Sequence, residues 1–260
     1  MEFKDIIFER KDGVAKITIN RPEKFNAFTT ETMIEMVRAM EDVEVDRTIG
    51  VVVITGAGKK AFCVGGDAGE SDSGAGYGPE MVIWVSRLHG MIRKVPVPVI
   101  AAVNGYAIGG GHVMHIVCDL SIASETAKFG QAGPRVGSFD AGFGAPYLAR
   151  IVGEKKAREI WFLCEQYSAQ EALEMGLVNK VVPPDKLEEE VDIWCKKILA
   201  LSPTSMKILK QSFNLDSDSI YGHEALSMSS AGLYFQTDEA TEGRNAYLEK
   251  RPTDFMKFRK

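Results

Sequence analysis

The chain has 260 residues, 45% hydrophobic and 26% charged, ordinary values for a soluble globular protein and enough for one large domain with a small appendage. A net charge of −5 tells against nucleic acid as the main partner, and no apolar run reaches the roughly 18 residues of a membrane span. The N-terminal stretch MEFKDIIFERKDG is charged and lacks the apolar centre of a signal peptide, so the expected location is cytoplasmic.

Short apolar runs alternate with helical patterns over the first half. Val14–Asn20, Gly50–Gly56, Val97–Gly105 and Asp119–Ser124 are β-branched, short and bounded by Gly, Pro or Asn, which predicts buried strands. Thr30–Asp42, Pro79–Ile92 and Gly111–Val117 fit helical spacing between them. That alternation predicts an α/β core with largely parallel pairing. After Ser124 the runs GAPYLARIVG, EKKAREIWFLCEQY, SAQEALEMGLV, DKLEEEVDIWCKKILAL and SPTSMKILKQSFNL read as successive helices. Ser168 and Ser202 suit N-caps, Pro203 a first helical position, and Gly176 a helix end. A helical tail follows from His223 to Lys250. The layout is therefore an α/β core over 1–200 and a helical part over 201–260.

Four cysteines, Cys63, Cys118, Cys164 and Cys195, show neither CxxC spacing nor a histidine partner. They read as buried free thiols in a reducing compartment, with no metal site. Two glycine clusters carry more information. Gly65-Gly66 lies in KAFCVGGDAG, and Gly109-Gly110-Gly111 in NGYAIGGGHVMH; each follows a strand-like run, and the second opens into a helix. Glycine at a strand end lets backbone N–H groups approach a ligand closely, and two converging donors stabilise a developing oxyanion. A helix beginning at the second cluster would add its positive dipole end. The small, polar Ala68–Gly78 segment beside the first cluster reads as a loop that could act as a lid.

With its motifs in this order, the chain resembles the crotonase (enoyl-CoA hydratase/isomerase) superfamily. The match runs from DGVAKITINRPEKFNAF through AFCVGGD, GYAIGGGH, FGQAGPRVGSFDAGFG and LARIVGEKKAREIWFL to EALEMGLVNKVVP. The resemblance implies a spiral of ββα units, a C-terminal helical trimerisation region and a homotrimer or homohexamer. It implies an acyl-CoA substrate, coenzyme A being part of it and no cofactor permanently bound. The thioester oxygen would lie between the N–H groups of Gly66 and Gly110. CoA contacts would fall on Lys24, Phe25, Ala27, Val64, Asp67 and Ala68, with Arg244 and Lys250 as C-terminal cations.

Hydratases of this superfamily place and protonate a water with two glutamates, whose positions are Val113 and Gly133 here. Neither residue can move a proton, and His112 reads as a packed or capping residue. Ser138 and Asp140 bracket Phe139 in a Gly-rich turn, where residues two apart point the same way. This pattern resembles the 1,4-dihydroxy-2-naphthoyl-CoA synthases and the 2-ketocyclohexanecarboxyl-CoA hydrolases, with Asp140 as acid or base, Ser138 beside it and Tyr77 as a lid tyrosine. Gln131, Gly133 and Trp161 match a bicarbonate site of some synthases. Three positions depart from the synthases. Ala132 replaces a threonine, Ser71 an arginine, and Phe235, preceded by Tyr234, a tyrosine. Each lost hydrogen bond to a charged group costs about 1.5–3 kcal/mol, which suggests a substrate without a free carboxylate. The expectation is ring-opening hydrolysis of a cyclic 2-oxoacyl-CoA, with the synthase reaction as its near-equal and a non-catalytic CoA-binding scaffold as a minor third reading.

Overall fold

The computed structural model describes residues 3–70 and 79–259. Among the described residues ten strands form two sheets. The six-stranded sheet has the order β1 (Ile6–Lys11), β2 (Val14–Ile19), β3 (Val51–Gly56), β5 (Val99–Val103), β7 (Leu120–Ser124), β10 (Lys180–Val182). Only the β1–β2 hairpin is antiparallel in it. The four-stranded sheet runs β4 (Ala61–Cys63), β6 (Tyr106–Ile108), β8 (Lys128–Gly130), β9 (Gln166–Ser168), parallel except for β8–β9. The four strands read from β-branched runs are all present, and the pairing is largely parallel.

The helices are α1 (Thr30–Val45), α2 (Pro79–Lys94), α3 (Gly110–Val117), α4 (Gly133–Val136), α5 (Leu148–Val152), α6 (Glu154–Leu163), α7 (Ala169–Glu174), α8 (Leu187–Leu199), α9 (Pro203–Ser217), α10 (Ile220–Tyr234) and α11 (Asp238–Leu248). Ser168 and Ser202 cap α7 and α9 with their side chains, and Gly176 takes the left-handed conformation just past α7. The run GAPYLARIVG does not form one helix. A π-turn over Phe143–Tyr147, containing Pro146, precedes α5, because proline removes a helical donor.

The period-2 alternation of the strands divides the core. Val52, Ile54, Val99 and Ala101 face the main apolar cluster with Met36, Met40 and Phe62. Val51, Val53, Ile100 and Ile122 face α8 through Leu187, Val191 and Cys195. All four cysteines are free and buried, and burial pushes the Cys63 thiol up to about 12. Among the described residues no helix is long and apolar enough to cross a membrane.

The C-terminal helices are tied to the core by buried cations. Lys210 of α9 donates to the carbonyls of Ile92 and Val97 and to Asp119, at 2.8, 2.9 and 2.7 Å. Arg93 of α2 reaches back to Ser217 and the Asn214 carbonyl, its guanidinium stacked on Phe143, Tyr147 and Tyr221. Replacing Lys210 by Met would strand the Ile92 and Val97 carbonyls, at about 1–3 kcal/mol each before relaxation, and remove the cation paired with Asp119. Lys210→Met should therefore lower the melting temperature and make the segment after residue 200 the first to be cut in limited proteolysis.

Candidate active site

The four-stranded sheet positions the site. Strands β4, β6 and β8 are parallel neighbours, so their carboxyl ends emerge together. From them come the Gly65-Gly66 turn, the Gly109–Gly111 turn and the loop carrying Gln131 to Asp140. All three line one cavity of about 730 Å³. Gly109, at φ +56, makes a turn that L side chains rarely allow. A Cβ on Gly111 would stand 2.0 Å from the Cys63 carbonyl oxygen, so α3 lies directly against β4. A Cβ on Gly110 would meet the Phe28 ring at 2.8 Å and Gly65 Cα at 3.4 Å. The two glycine turns are thus in contact, and the Gly110 N–H, in the first turn of α3, has no partner within its own helix. Gly66 is bridged to Phe28: Phe28 N donates to Gly65 O and Asp67 N to Phe28 O, both at 2.8 Å.

The segment before α1 forms the cavity's outer rim. Asn26, fully buried, donates to the carbonyls of Ala57 and Ala61 and accepts from Arg21 N. This clamp holds Phe25 and Asn26 at positive φ and places Lys24, Phe25 and Ala27 on the rim, with Val64 and Ala68 opposite. Phe25 is exposed, edge-on to Tyr106, with Lys60 over its ring. The Asp67 side chain faces inward to the protein. Its carboxylate pairs with Arg21 at 3.0 Å and accepts from Gly69 N. Burial opposes its charge, but Gly69 and Arg21 outweigh burial and hold its pKa below the usual range. Asp67 therefore joins the rim to the first glycine turn.

Asp140 stands on the inner wall. Its Oδ1 accepts from Gly142 N at 2.9 Å and Gly144 N at 3.0 Å. Burial raises its pKa, against these two donors. Ser138 shares the cavity wall, and Phe139 between them packs edge-on against Tyr234 at 5.3 Å. Apolar side chains of α2 and α10, among them Val82, Val85, Met228 and Ala231, complete this inner compartment with Phe235. Its buried histidine, His89, is neutral, with its pKa lowered by burial to about 4.

The positions that carry glutamates in hydratases are closed. Val113 is 1% exposed and lines the cavity. At Gly133 a Cβ would lie 2.7 Å from the Ser138 carbonyl oxygen and 3.2 Å from the Trp161 ring. His112 is fully buried, bonded through Nδ1 to Gln131 Nε2 at 2.9 Å, and its pKa falls to about 3, so it serves as packing rather than as a base.

Two expectations are modified by this geometry. Trp161 lines the cavity, but its indole N–H donates to Gly144 O at 2.6 Å and is not directed at an anion. With the Gln131 amide on His112, two of the three groups matched to bicarbonate are engaged internally. Lys250 is exposed past the end of α11 and does not line the cavity. Arg244, Tyr247 and Leu248, at i, i+3 and i+4 on α11, do. Tyr77 and Ser71 lie outside the described residues. Sequence reasoning missed the structural roles of Arg21 and Asn26, and it missed Glu224 of α10, a buried carboxyl beside the Asp140 loop. Asn26, a residue type that tolerates positive φ, standing shortly after Pro22 was a local signal for the clamp, and Glu224 had none.

Comparison with known proteins agrees with this layout. The family model described as enoyl-CoA hydratase/isomerase matches residues 9–258. The chain belongs to the enoyl-CoA hydratase/isomerase family. This crotonase is similar to an enoyl-CoA hydratase from Mycobacterium avium subsp. paratuberculosis K-10, with 29% identity, a TM-score of 0.90, and 98% of this chain and 99% of that one covered. An enoyl-CoA hydratase from Bacillus anthracis is 30% identical, with a TM-score of 0.75 and coverage of 96% and 98%. An enoyl-CoA hydratase/carnithine racemase from Magnetospirillum magneticum is 28% identical, with a TM-score of 0.79 and coverage of 97% and 96%. The mixed α/β fold with C-terminal helices is that of the crotonases.

The contact at Gly133 is testable. Gly133→Ala forces a methyl group against backbone, at about 1–3 kcal/mol for overpacking. The melting temperature should fall, and Gly133→Glu should yield destabilised protein without any gain in crotonyl-CoA hydration, followed by loss of the enoyl thioester absorbance.

Proposed function

We propose that this crotonase opens a cyclic 2-oxoacyl-CoA by hydrolytic C–C cleavage. The observation that carries this reading is Asp140: a carboxylate with one oxygen pinned by two N–H groups, facing an apolar compartment next to two glycine turns. No acid–base side chain stands at either glutamate position of a hydratase, which favours Asp140 as the proton carrier.

In the proposed reaction the thioester oxygen sits between Gly66 and Gly110. Asp140 removes a proton from water as the water oxygen attacks the ring ketone. The resulting alkoxide collapses, and the bond between the former ketone carbon and the carbon next to the thioester breaks. Its electron pair becomes a thioester enolate, whose oxygen is stabilised by the two N–H groups and the start of α3. Protonated Asp140 then returns its proton to the enolate carbon. The product is a carboxylic acid tethered to a CoA thioester, and the enzyme is restored. The raised pKa of Asp140 suits both roles, because a proton carrier works best near the ambient pH. The rim of Lys24, Phe25 and Lys60 suits the charged and planar parts of coenzyme A.

One feature favours the synthase reading. Arg244 lines the same cavity and offers a cation that a free succinyl carboxylate would need. Ala132 and the engaged Trp161 N–H count against it. Incubating the protein separately with 2-oxocyclohexanecarboxyl-CoA, o-succinylbenzoyl-CoA and crotonyl-CoA, with mass-spectrometric product analysis, tests the assignment. The expected product is the ring-opened dicarboxylic mono-thioester. A naphthoyl thioester without ring-opened acid would overturn it. Asp140→Asn should lower kcat by about 10²–10⁴-fold while leaving CoA-thioester binding within a few-fold, as measured by calorimetry.

A further inference from the structure

Beside the Asp140 loop, and not lining the cavity, a second carboxyl is buried. Glu224 belongs to α10 and is 4% exposed. The face of α10 that carries it packs on the Asp140 loop along its length. Tyr221 meets Phe143 edge-on at 5.8 Å, and Ser227 Oγ accepts from Ala141 N at 3.1 Å. Glu224 lies between these two contacts. Its Oε2 fills the space beside Gly142, 1.8 Å from where a Cβ on that glycine would stand. Gly142 is the residue whose N–H holds Asp140 Oδ1. The two carboxyls therefore flank one peptide.

Their hydrogen bonding is unequal. Asp140 accepts two backbone N–H groups, whereas neither Glu224 oxygen has a hydrogen-bond partner. The Ser86 hydroxyl and the Phe143 N–H are near enough to favour a charged Glu224 weakly, but outside hydrogen-bond geometry. Of the other groups packed around it, His89 of α2 is neutral and Tyr221 is its neighbour on α10. Arg93 of α2 stacks on the Phe143 and Tyr221 rings, with Nη2 on Ser217, Asp218 and the Asn214 carbonyl and with Nε and Nη1 buried without a hydrogen-bond partner. Among the described residues no ion pair compensates a charge on Glu224. Two carboxylates flanking one peptide, Glu224 buried and Asp140 half-buried on the cavity wall, do not both ionise cheaply, and the one with donors keeps the charge.

We propose that Glu224 is a positioning residue for Asp140: it holds a proton beside the loop, so that the pair carries a single negative charge and that charge sits on Asp140. The inference rests on Asp140 being the proton carrier. In keeping with it, burial first and the Asp140 charge second push the Glu224 carboxyl up to about 7. Below that value Asp140 is a carboxylate beside a neutral acid. Above it, Glu224 ionises, and the added negative charge makes Asp140 a poorer carrier of its own charge.

Glu224→Gln keeps the shape and removes the titration. A carboxyl with its folded pKa raised stabilises the fold fully below its unfolded value of 4.5, and that contribution is lost as the pH rises through about 7. The melting temperature of Glu224→Gln relative to the native protein should therefore climb between pH 5 and pH 8 (about the span from below to above the Glu224 value). In an Asp140→Asn background the climb should shrink, because the charge that raises Glu224 is gone. A difference independent of pH, or one unchanged by Asp140→Asn, overturns the coupling. These melts need no substrate, so they stand whatever reaction Asp140 serves. In turnover of the ring thioester, kcat/KM of the native protein should show an inflection near pH 7 that Glu224→Gln lacks, with KM within about twofold. An inflection retained in Glu224→Gln would overturn the positioning role even if the melts show coupling. Loss of turnover in neither Asp140→Asn nor Glu224→Gln would instead remove the reading of Asp140 on which the role rests.

Discussion

Parallel pairing of three short strands is the constraint on which the site depends. Strands β4, β6 and β8 are only three residues each, but parallel alignment sends all their carboxyl ends to one side. The glycine turns and the Asp140 loop then have nowhere else to go. Close contact between α3 and β4 requires Gly111, and contact between the turns requires Gly110. The backbone donors are placed by sheet geometry, not by side chains, so they cost no rotamer entropy to organise.

The inner wall is built by a different device. Trp161 donates to the Gly144 carbonyl, Gly144 donates to Asp140, and Gly142 donates to the same oxygen. Each link fixes a peptide that fixes the next, so the orientation of one carboxylate is set by residues on the Asp140 loop and α6. The residue so held lines the cavity. Burial keeps the proton affinity of the group high, and the two donors keep it from rising without limit.

Much of this was legible in the sequence, for physical reasons. Val51–Gly56 and Val99–Val103 are buried on both faces, so their apolar runs announce strands without context. The three-residue strands carry no period long enough to read, and they exist because neighbours pair with them. The glycine clusters signalled close backbone approach, and Ser138 with Asp140 did reach one cavity wall. Trp161 was placed at the site, but its donor direction depends on a carbonyl 17 positions earlier. Lys250 follows the end of α11 and does not line this chain's cavity, where α11 presents Arg244, Tyr247 and Leu248. Glu224 is the one acidic residue in a helix of apolar and small residues with no clear polar face, so its burial is decided by the loop that the helix covers, and no local pattern reports that.

The tethering of α9 by Lys210 has a consequence for how the protein is made. Both glycine turns and the Asp140 loop lie in the first 140 positions, but Met228, Ala231, Phe235 and Arg244 close the inner compartment from the last part of the chain. Chains are synthesised from the N-terminus, and folding of the early part begins before the end emerges. On the ribosome, the reactive half of the site therefore forms as an open, solvated cleft. It becomes a dry compartment only when the final helices dock. A chain cut short before α10 would lack Met228, Ala231 and Phe235 and would leave Asp140 with only the cover of its own loop and Trp161.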